Sequence, residues 1–448
     1  MGLSRTRLTR PAGHRAGYVG TVTFDALSRD RIETLHAEAE QAYRTLGEAG
    51  LTLDLTRGKP SPAQLDLSAG LLSLPGTDFR AADGTDTRNY GGLTGLTELR
   101  EIFAELLGIP VAQLLAADNA SLALMHDTLT FAMLHGTPDS PAPWGAAPVK
   151  FICPAPGYDR HFALTEHLGI EMLVVDMLDD GPDLDQVRAL VGDPAVKGIW
   201  LVPTYANPTG AVVSHEKAAA LAALETAAPD FRIYWDNAYA VHHLTDERTT
   251  TAEIVGLCAS AGNPNRPLVF ASTSKITFAG SGVSFLGGSP ETIAWYLRHV
   301  AFRTIGPDKV NQLRHARFLQ DAEGVHRLMD GHRAVLAPKF EATLQILAER
   351  LGPHDVATWT RPRGGYFVSL DVPDGTATRV VALAKAAGIS LTPAGASFPY
   401  GRDPRDRNIR IAPSFPSMTD LTAAMDGLAT CVLLAATAQA LESGTGRS

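Results

Sequence analysis

The chain has 448 residues, of which 45% are hydrophobic and 19% are charged, and its formal net charge is −9. This length and composition are typical of a globular protein with two or three domains. The acidic charge argues against a nucleic-acid surface, which needs clustered Lys and Arg. The three cysteines are far apart and odd in number, so neither a disulfide framework nor a zinc site is indicated, and we expect a cytoplasmic protein. The basic segment from Arg5 to Arg15 lacks the apolar run of a signal peptide and is predicted to be a tail.

From about residue 95 to residue 271, helix-like segments alternate with short apolar runs of β type. Residues 96–108 have leucines and charges at helical spacing and end at a glycine. A second helix is opened by Ser214, a residue type that caps helix N-termini. The β-type runs are residues 150–153, 171–176, 198–202, 231–235 and 267–271. Strands separated by helices predict right-handed crossovers and an α/β domain with a mainly parallel central sheet flanked by helices.

The pattern changes near residue 326, where a long helical stretch leads into the β-type run of RGGYFVSLDV, a further helix and NIRIAP. This order is typical of a smaller α+β domain. The nearly uncharged stretch 428–441 is too short for a membrane span and is predicted to be a packed C-terminal helix. We therefore expect an N-terminal tail and arm at 1–65 that contributes to the small domain, a large cofactor-binding domain at 66–325, and a small C-terminal domain at 326–448.

Polar side chains among glycines and prolines follow four of the predicted strands. Ligands of a parallel α/β sheet sit beyond the carboxyl ends of its strands, so these ends indicate a site. Asp236 ends a strand beside Tyr234 and Trp235, where a carboxylate needs a cationic or hydrogen-bonding partner. Lys275, one of only 8 lysines in the chain, follows the next strand. Burial there would lower its pKa and make the amine nucleophilic.

A lysine nucleophile, a buried carboxylate and nearby hydroxyls together fit pyridoxal phosphate. This cofactor uses a lysine Schiff base, a carboxylate on its pyridine nitrogen, and small donors at a helix start for its phosphate. Three motifs resemble, in this order, the signature of fold type I pyridoxal phosphate aminotransferases of class I/II: Asn207-Pro208-Thr209-Gly210, Asp236 with Tyr239, and Ser272-x-Ser274-Lys275.

Further positions match the same family from about residue 50 to residue 425: Tyr90 in RNYGG, Tyr158 in PGYDRH and Arg410 in NIRIAP. The segments LTRGKPSPAQLDLS, PGYDRH and SKITFAGSGVSF are similar to a bacterial subgroup of aspartate aminotransferases related to the aminotransferase-like domain of MocR regulators. The resemblance implies the fold type I architecture, with a large domain and a smaller α+β domain.

The resemblance also implies a role for each residue around the cofactor ring. Lys275 would bind the cofactor as a Schiff base and then move a proton. Asp236 would keep the pyridine nitrogen protonated, unless it is an ordinary helix N-cap. Asn207 and Tyr239 would donate hydrogen bonds to the phenolate oxygen of the ring, and Tyr158 would stack on it.

For the phosphate, the resemblance implies the Ala120 backbone and the hydroxyls of Ser121, Ser272 and Ser274. Ser121 is alternatively a plain helix N-cap. Tyr90 would reach the phosphate of the neighbouring subunit, which predicts a homodimer.

For the substrate, the resemblance implies that Arg410 binds the α-carboxylate bidentately, with Asn207 nearby. The alternative is an outward-facing arginine on an edge strand. Gly58 would allow the N-terminal segment to approach the substrate closely. An acidic substrate needs a second cation, and the candidates at motif positions are Arg57, Lys59, Arg88, Arg160 and Arg363.

One position departs from the family pattern. The family places an arginine that clamps the phosphate eight residues after the lysine, and Val283 stands there in this chain. We expect glycines and the hydroxyls of Ser281 or Ser284 to substitute. His161 follows the stacking tyrosine, and its role stays open. The adjacent His242 and His243 have no further ligands at metal spacing, so we predict no metal site.

The expected function is an aminotransferase that moves an amino group between L-aspartate or L-glutamate and 2-oxo acids by a ping-pong cycle. A different amino-acid donor, or a lyase or decarboxylase with the same cofactor, stays open. A regulatory ligand-binding module is a further alternative, but only about 50 residues precede RGKP, where MocR regulators carry a winged-helix region. The expected partners are small-molecule substrates and a second copy of the chain, with neither nucleic acid nor membrane.

Overall fold

Strands and helices alternate through most of the computed structural model, which describes residues 18–19 and 28–444. The predicted tail from Arg5 to Arg15 lies outside these residues. The described strands are β1 Tyr18–Val19, β2 Leu53–Asp54, β3 Leu114–Ala117, β4 Lys150–Ala155, β5 Glu171–Leu178, β6 Gly181–Pro182, β7 Val196–Leu201, β8 Arg232–Asp236, β9 Pro267–Ser272, β10 Ser284–Gly287, β11 Thr358–Thr360, β12 Val368–Asp371, β13 Ile389–Ser390 and β14 Asn408–Ile411.

Helices cover both faces of the large sheet and pack around the small one. The described helices are α1 Arg29–Glu48, α2 Pro62–Asp66, α3 Thr97–Leu107, α4 Ser121–His135, α5 Asp159–His167, α6 Leu184–Leu190, α7 His215–Ala222, α8 Ile254–Ser260, α9 Pro290–Val300, α10 Lys309–Leu319, α11 Ala322–Arg350, α12 Ala377–Ala386 and α13 Met418–Glu442. Two predicted helix ends are confirmed. Gly108 follows α3 with φ 64°, and the Ser214 side chain accepts a hydrogen bond from the Lys217 amide at the start of α7.

The large sheet has the strand order β3-β10-β9-β8-β7-β4-β5-β6. Within this sheet, five adjacent strands run parallel to one another: β9, β8, β7, β4 and β5. The predicted mainly parallel sheet is therefore confirmed. β10 runs antiparallel between β3 and β9, and β6 runs antiparallel beside β5. The carboxyl ends of β7, β8 and β9 therefore lie side by side, which brings Asp236 and Lys275 to one edge of the sheet.

The second sheet is antiparallel, in the order β1-β11-β12-β14. N-terminal residues join this part of the chain, because β2 pairs with β13 and α1 packs against α13. The predicted boundary between residues 325 and 326 falls in the first turn of α11, which begins at Ala322. The predicted division at 1–65, 66–325 and 326–448 stays a prediction.

The C-terminal helix α13 has 25 residues and is long and apolar enough to cross a membrane by length and composition. The expectation that its apolar stretch is too short was therefore wrong. Its most apolar window is 83% buried within the protein, and the helix packs against α1, α11 and α12. The prediction of a packed helix is confirmed, because these contacts bury its apolar surface.

Candidate active site

A cavity of about 510 Å³ lies beyond the carboxyl ends of β8 and β9, next to the small sheet. Segments that are far apart in the sequence meet on its wall. Six of the predicted site residues line it: Gly58, Tyr158, Asn207, Tyr239, Lys275 and Arg410. A volume of this size is within the range of small-molecule sites in enzymes.

Lys275 is a half-buried residue of this wall and not an exposed surface lysine. Its Nζ lies 5.0 Å from the ring centroid of Tyr239. Burial lowers the pKa of the Lys275 amine, although the nearby carboxylate of Asp236 opposes this shift. A larger share of the amine is therefore neutral and nucleophilic near neutral pH than for an exposed lysine.

A buried hydrogen-bond network, which the sequence did not predict, holds the backbone at Lys275. The Lys275 carbonyl lies 3.3 Å from His242 Nε2 and accepts from the Tyr366 hydroxyl at 3.5 Å. Gln64 joins this hydroxyl to His332 Nδ1, with distances of 2.8 and 3.0 Å. Burial lowers the pKa of His332 to about 4 and that of His242 well below its usual value, so both rings stay neutral. These residues come from α2, α11 and two loops, and together they fix the segment that presents the lysine.

Asp236 is 2% exposed and ends β8, and a turn follows it instead of a helix. The alternative that it caps a helix was therefore wrong. Its Oδ2 lies 3.0 Å from His161 Nε2, while its Oδ1 is buried and has no hydrogen-bond partner within the part of the chain that the structure describes. A buried carboxylate oxygen needs a donor. The protonated pyridine nitrogen of pyridoxal phosphate is a positively charged donor that suits this oxygen. Asp236, with His161 bonded to its other oxygen, therefore fits the cofactor.

The structure gives His161 the partner that the sequence left open. Its ring stacks on Trp200 at 4.3 Å with an interplanar angle of 10°, and it bonds to Asp236. The sequence signal is its position three residues after Tyr158, because residues i and i+3 share one helix face. Tyr158 itself contacts His161 edge-on at 4.9 Å. Burial raises the pKa of Tyr158 and of Tyr239, so both hydroxyls stay protonated donors.

The predicted phosphate residues lie near the N-terminus of α4 and the end of β9. Ala120 is the N-cap position and Ser121 is the first helical residue, so the alternative of Ser121 as a plain N-cap was wrong. Ser272 is the last residue of β9. These two segments are close to each other at Gly282. A Cβ on this glycine would lie 3.0 Å from the Asn119 carbonyl oxygen, before α4, and 3.2 Å from Ser274 Oγ, after β9. Amide groups at the start of a 15-residue helix suit a phosphate dianion.

Val283, at the position of the family arginine, is buried in the apolar core beside the sheet. Its amide donates to Thr273 Oγ1 at 2.9 Å. The Ser284 hydroxyl donates to the carbonyl of Ala117 in β3, so the expectation that Ser284 supplies a phosphate donor was wrong. Ser281 is exposed and remains available.

Arg410 lies in β14 and is 8% exposed. The alternative of an outward arginine on an edge strand was therefore wrong, although β14 is the last strand of its sheet. Its guanidinium carbon lies 5.0 Å from the ring centroid of Phe367. A Cβ on Gly58 would lie 2.4 Å from Cζ of the same ring, so only glycine allows the N-terminal segment to approach this closely.

The five candidate cations for a second carboxylate separate into two groups. Arg57, Lys59 and Arg160 line the cavity. Arg88 pairs with Asp86 at 2.7 Å and Arg363 pairs with Glu247 at 3.2 Å, and neither lines the cavity. The structure therefore places three of the five at the site.

Tyr90 is 82% exposed in a loop that does not reach the cavity of its own chain. Lys309 Nζ donates to the Asn89 and Gly91 carbonyls on either side of it, at 2.8 and 2.6 Å. The predicted contact with a neighbouring subunit stays a prediction. Within residues 18–19 and 28–444, no group of three or more His, Cys, Asp or Glu side chains is arranged to hold a metal ion.

Comparison with known proteins shows the family to which the chain belongs. The family model described as aspartate amino-transferase matches residues 27–443. An aspartate aminotransferase of Corynebacterium glutamicum is 54% identical over 94% of this chain and 98% of its own length. The crystal structure of an aspartate transaminase from the same species superposes with a TM-score of 0.91 at 55% identity, covering 94% of this chain and 99% of that one.

A more distant structure shows the same fold. The α-aminoadipate aminotransferase LysN of Thermus thermophilus, complexed with N-(5'-phosphopyridoxyl)-L-leucine, has a TM-score of 0.69 at 21% identity and covers 86% of this chain and 93% of its own. The named relatives are enzymes, so a regulatory ligand-binding module is not supported. The chain therefore belongs to the aspartate amino-transferase family and is an aminotransferase with the fold type I architecture.

Proposed function

We propose that the chain uses pyridoxal 5'-phosphate to move an amino group between L-aspartate or L-glutamate and 2-oxo acids in a ping-pong cycle. The observation that carries the cofactor assignment is the buried Oδ1 of Asp236, which has no hydrogen-bond partner among the described residues. It lies at the end of β8, next to β9, the strand that leads to Lys275. The acidic donor is supported by the name of the Corynebacterium relative and by the cations that line the cavity.

The residues in and around the cavity have different roles in the reaction. When bound, pyridoxal phosphate supplies an electron sink for the substrate Cα. Asp236 holds the proton on the pyridine nitrogen, and His161 orients this carboxylate. Lys275 binds the cofactor covalently and later moves the proton at Cα. Asn207 and Tyr239 donate to the phenolate oxygen, and Tyr158 stacks on the ring.

The phosphate and the substrate bind at opposite ends of this arrangement. The Ala120 backbone and the hydroxyls of Ser121, Ser272 and Ser274 hold the phosphate. Arg410 binds the α-carboxylate, which every amino acid carries, so it does not select among donors. Selection falls to the cavity cations Arg57, Lys59 and Arg160, because a carboxylate at the far end of the substrate pairs with them. We also propose that the enzyme acts in the cytoplasm, and the support is that its three cysteines are free and far apart in the sequence.

The proposed substrate class is tested by mixing the cofactor-loaded enzyme with single amino acids and following the cofactor absorbance. We expect aspartate and glutamate to convert the cofactor to its amine form faster than alanine, valine or an aromatic amino acid at equal concentration. Alanine leaves the cavity cations unpaired and so loses binding energy. Conversion by alanine at the rate of aspartate would contradict the acidic donor and leave the aminotransferase activity intact.

We further propose a homodimer in which Tyr90 completes the phosphate site of the partner subunit. The support is the exposure of Tyr90, 82%, and of the neighbouring Phe302 and Ile305, 95% and 62%. Mixing an inactive Lys275→Ala chain with an inactive Tyr90→Phe chain should restore one complete site per heterodimer. Heterodimers that form and show no activity would mean that each site is complete within one chain.

A further inference from the structure

The buried guanidinium of Arg410 is paired with a carboxylate of the chain itself. Its Nη1 donates to Asp159 Oδ1 at 2.7 Å and to Asn207 Oδ1 at 3.4 Å. Its Nη2 donates to Thr392 Oγ1 at 3.4 Å, and its Nε is buried with no hydrogen-bond partner within the described residues. Of the carboxylates in that part of the chain, Asp159 is the one that forms an ion pair with Arg410.

This contact joins a helix beside the large sheet to a strand of the small sheet. Asp159 is the first residue of α5, which follows the large-sheet strand β4, while Arg410 lies in β14 of the small sheet. The Asp159 side chain is 33% exposed and lines the same cavity as Arg410. A cation that is buried without a counter-ion is strongly destabilising, so Asp159 stabilises the guanidinium.

We propose that Asp159 is a positioning residue that sets the orientation of Arg410 for the substrate. It fixes the guanidinium through Nη1, together with Asn207, and leaves the edge formed by Nε and Nη2 for a planar carboxylate. A charge-assisted contact at Nη1 limits rotation of the guanidinium, and a bidentate carboxylate needs a fixed edge. Asp159 and the substrate therefore share Arg410 and do not compete for it. The inference rests on the proposed role of Arg410.

The test measures dissociation constants of aspartate, glutamate and alanine for the cofactor-loaded enzyme, from the concentration dependence of the half-reaction. Asp159→Asn removes the charge and keeps the shape, and we expect it to weaken binding of all three by about tenfold. The limiting rate of the half-reaction should change far less. Because all three amino acids share an α-carboxylate, one common factor is expected whichever donor the enzyme prefers. Asp185→Asn, at a carboxylate that is 93% exposed, is the matched control with no effect.

Two further variants distinguish the charge of Asp159 from its shape and show whether a loss of binding comes from a loss of folding stability. Asp159→Glu keeps the charge in a longer side chain and should bind substrate better than Asp159→Asn, whereas a role in shape alone predicts the reverse order. Without substrate, Asp159→Asn should lower the melting temperature, and the double variant Asp159→Asn/Arg410→Gln should recover most of this loss, because it also removes the unpaired cation.

Unchanged or tighter substrate binding in Asp159→Asn would overturn the inference and would mean that Asp159 competes with the substrate. An effect confined to one of the three amino acids would overturn it as well. Arg410→Gln alone separates this failure from that of the proposed function. If this variant binds all three amino acids as well as the wild type does, the proposed role of Arg410 is wrong, and the inference falls with it.

Discussion

Replacing Lys275 by alanine is expected to lower the rate of amino transfer by about three orders of magnitude or more, because one side chain both binds the cofactor and moves the proton. The structure supports this expectation through position and environment. The side chain is half-buried beyond the end of β9, and desolvation there lowers the pKa of its amine. Turnover with aspartate and 2-oxoglutarate is the measurement.

Lys275→Arg is the matched control for charge. Its guanidinium stays protonated and is neither a nucleophile nor a base at neutral pH. We expect this variant to be as inactive as Lys275→Ala, because a positive charge alone does not replace a neutral amine. Substantial turnover by either variant would show that another group carries the reaction.

Asp236→Asn is expected to lower turnover by about two orders of magnitude or more, because an amide does not stabilise a positive charge on the pyridine nitrogen as a carboxylate does. The Oδ1 of Asp236, which no other group in the described part of the chain contacts by a hydrogen bond, is the atom available for that nitrogen. His161→Gln should cost less, since it changes only the contact to Oδ2 and leaves Oδ1 in place. Turnover and cofactor retention are measured for both variants.

The informative result is which variant loses more turnover, and we expect the larger loss in Asp236→Asn. If His161→Gln is inactive while Asp236→Asn works at the wild-type rate, the carboxylate does not hold the cofactor ring. Equal and small losses in both variants would contradict the assignment as well.

The central parallel strands were predictable because each is a short and mostly apolar run between helix-like segments. The five predicted runs correspond to β4, β5, β7, β8 and β9. The short strands β3 and β10 were not predicted. β3 has the sequence Leu-Leu-Ala-Ala, whose residues favour helices, and it is a strand because β10 pairs with it. The error at Ser284 has the same origin, since its hydroxyl bonds to β3 across this pair.

The residues of the candidate site were predictable where they follow a strand, because parallel strand ends share one edge. The contacts among them were not. Asp159 and Arg410 are separated by 251 positions, and no periodicity relates them. Gln64 and Tyr366, 302 positions apart, meet behind Lys275 only because α2 and the small sheet pack against the same segment. Such contacts depend on the tertiary fold and leave no local pattern in the sequence.

The most direct measurement is the mass of the peptides obtained after reducing the cofactor-loaded enzyme with borohydride. The chain has 8 lysines, so the attachment site is resolved by a single digest. We expect the phosphopyridoxyl group on the peptide that contains Lys275, and on none of the others. An active enzyme that carries the group on a different lysine, or on none, would contradict the assignment of this cavity as the cofactor site.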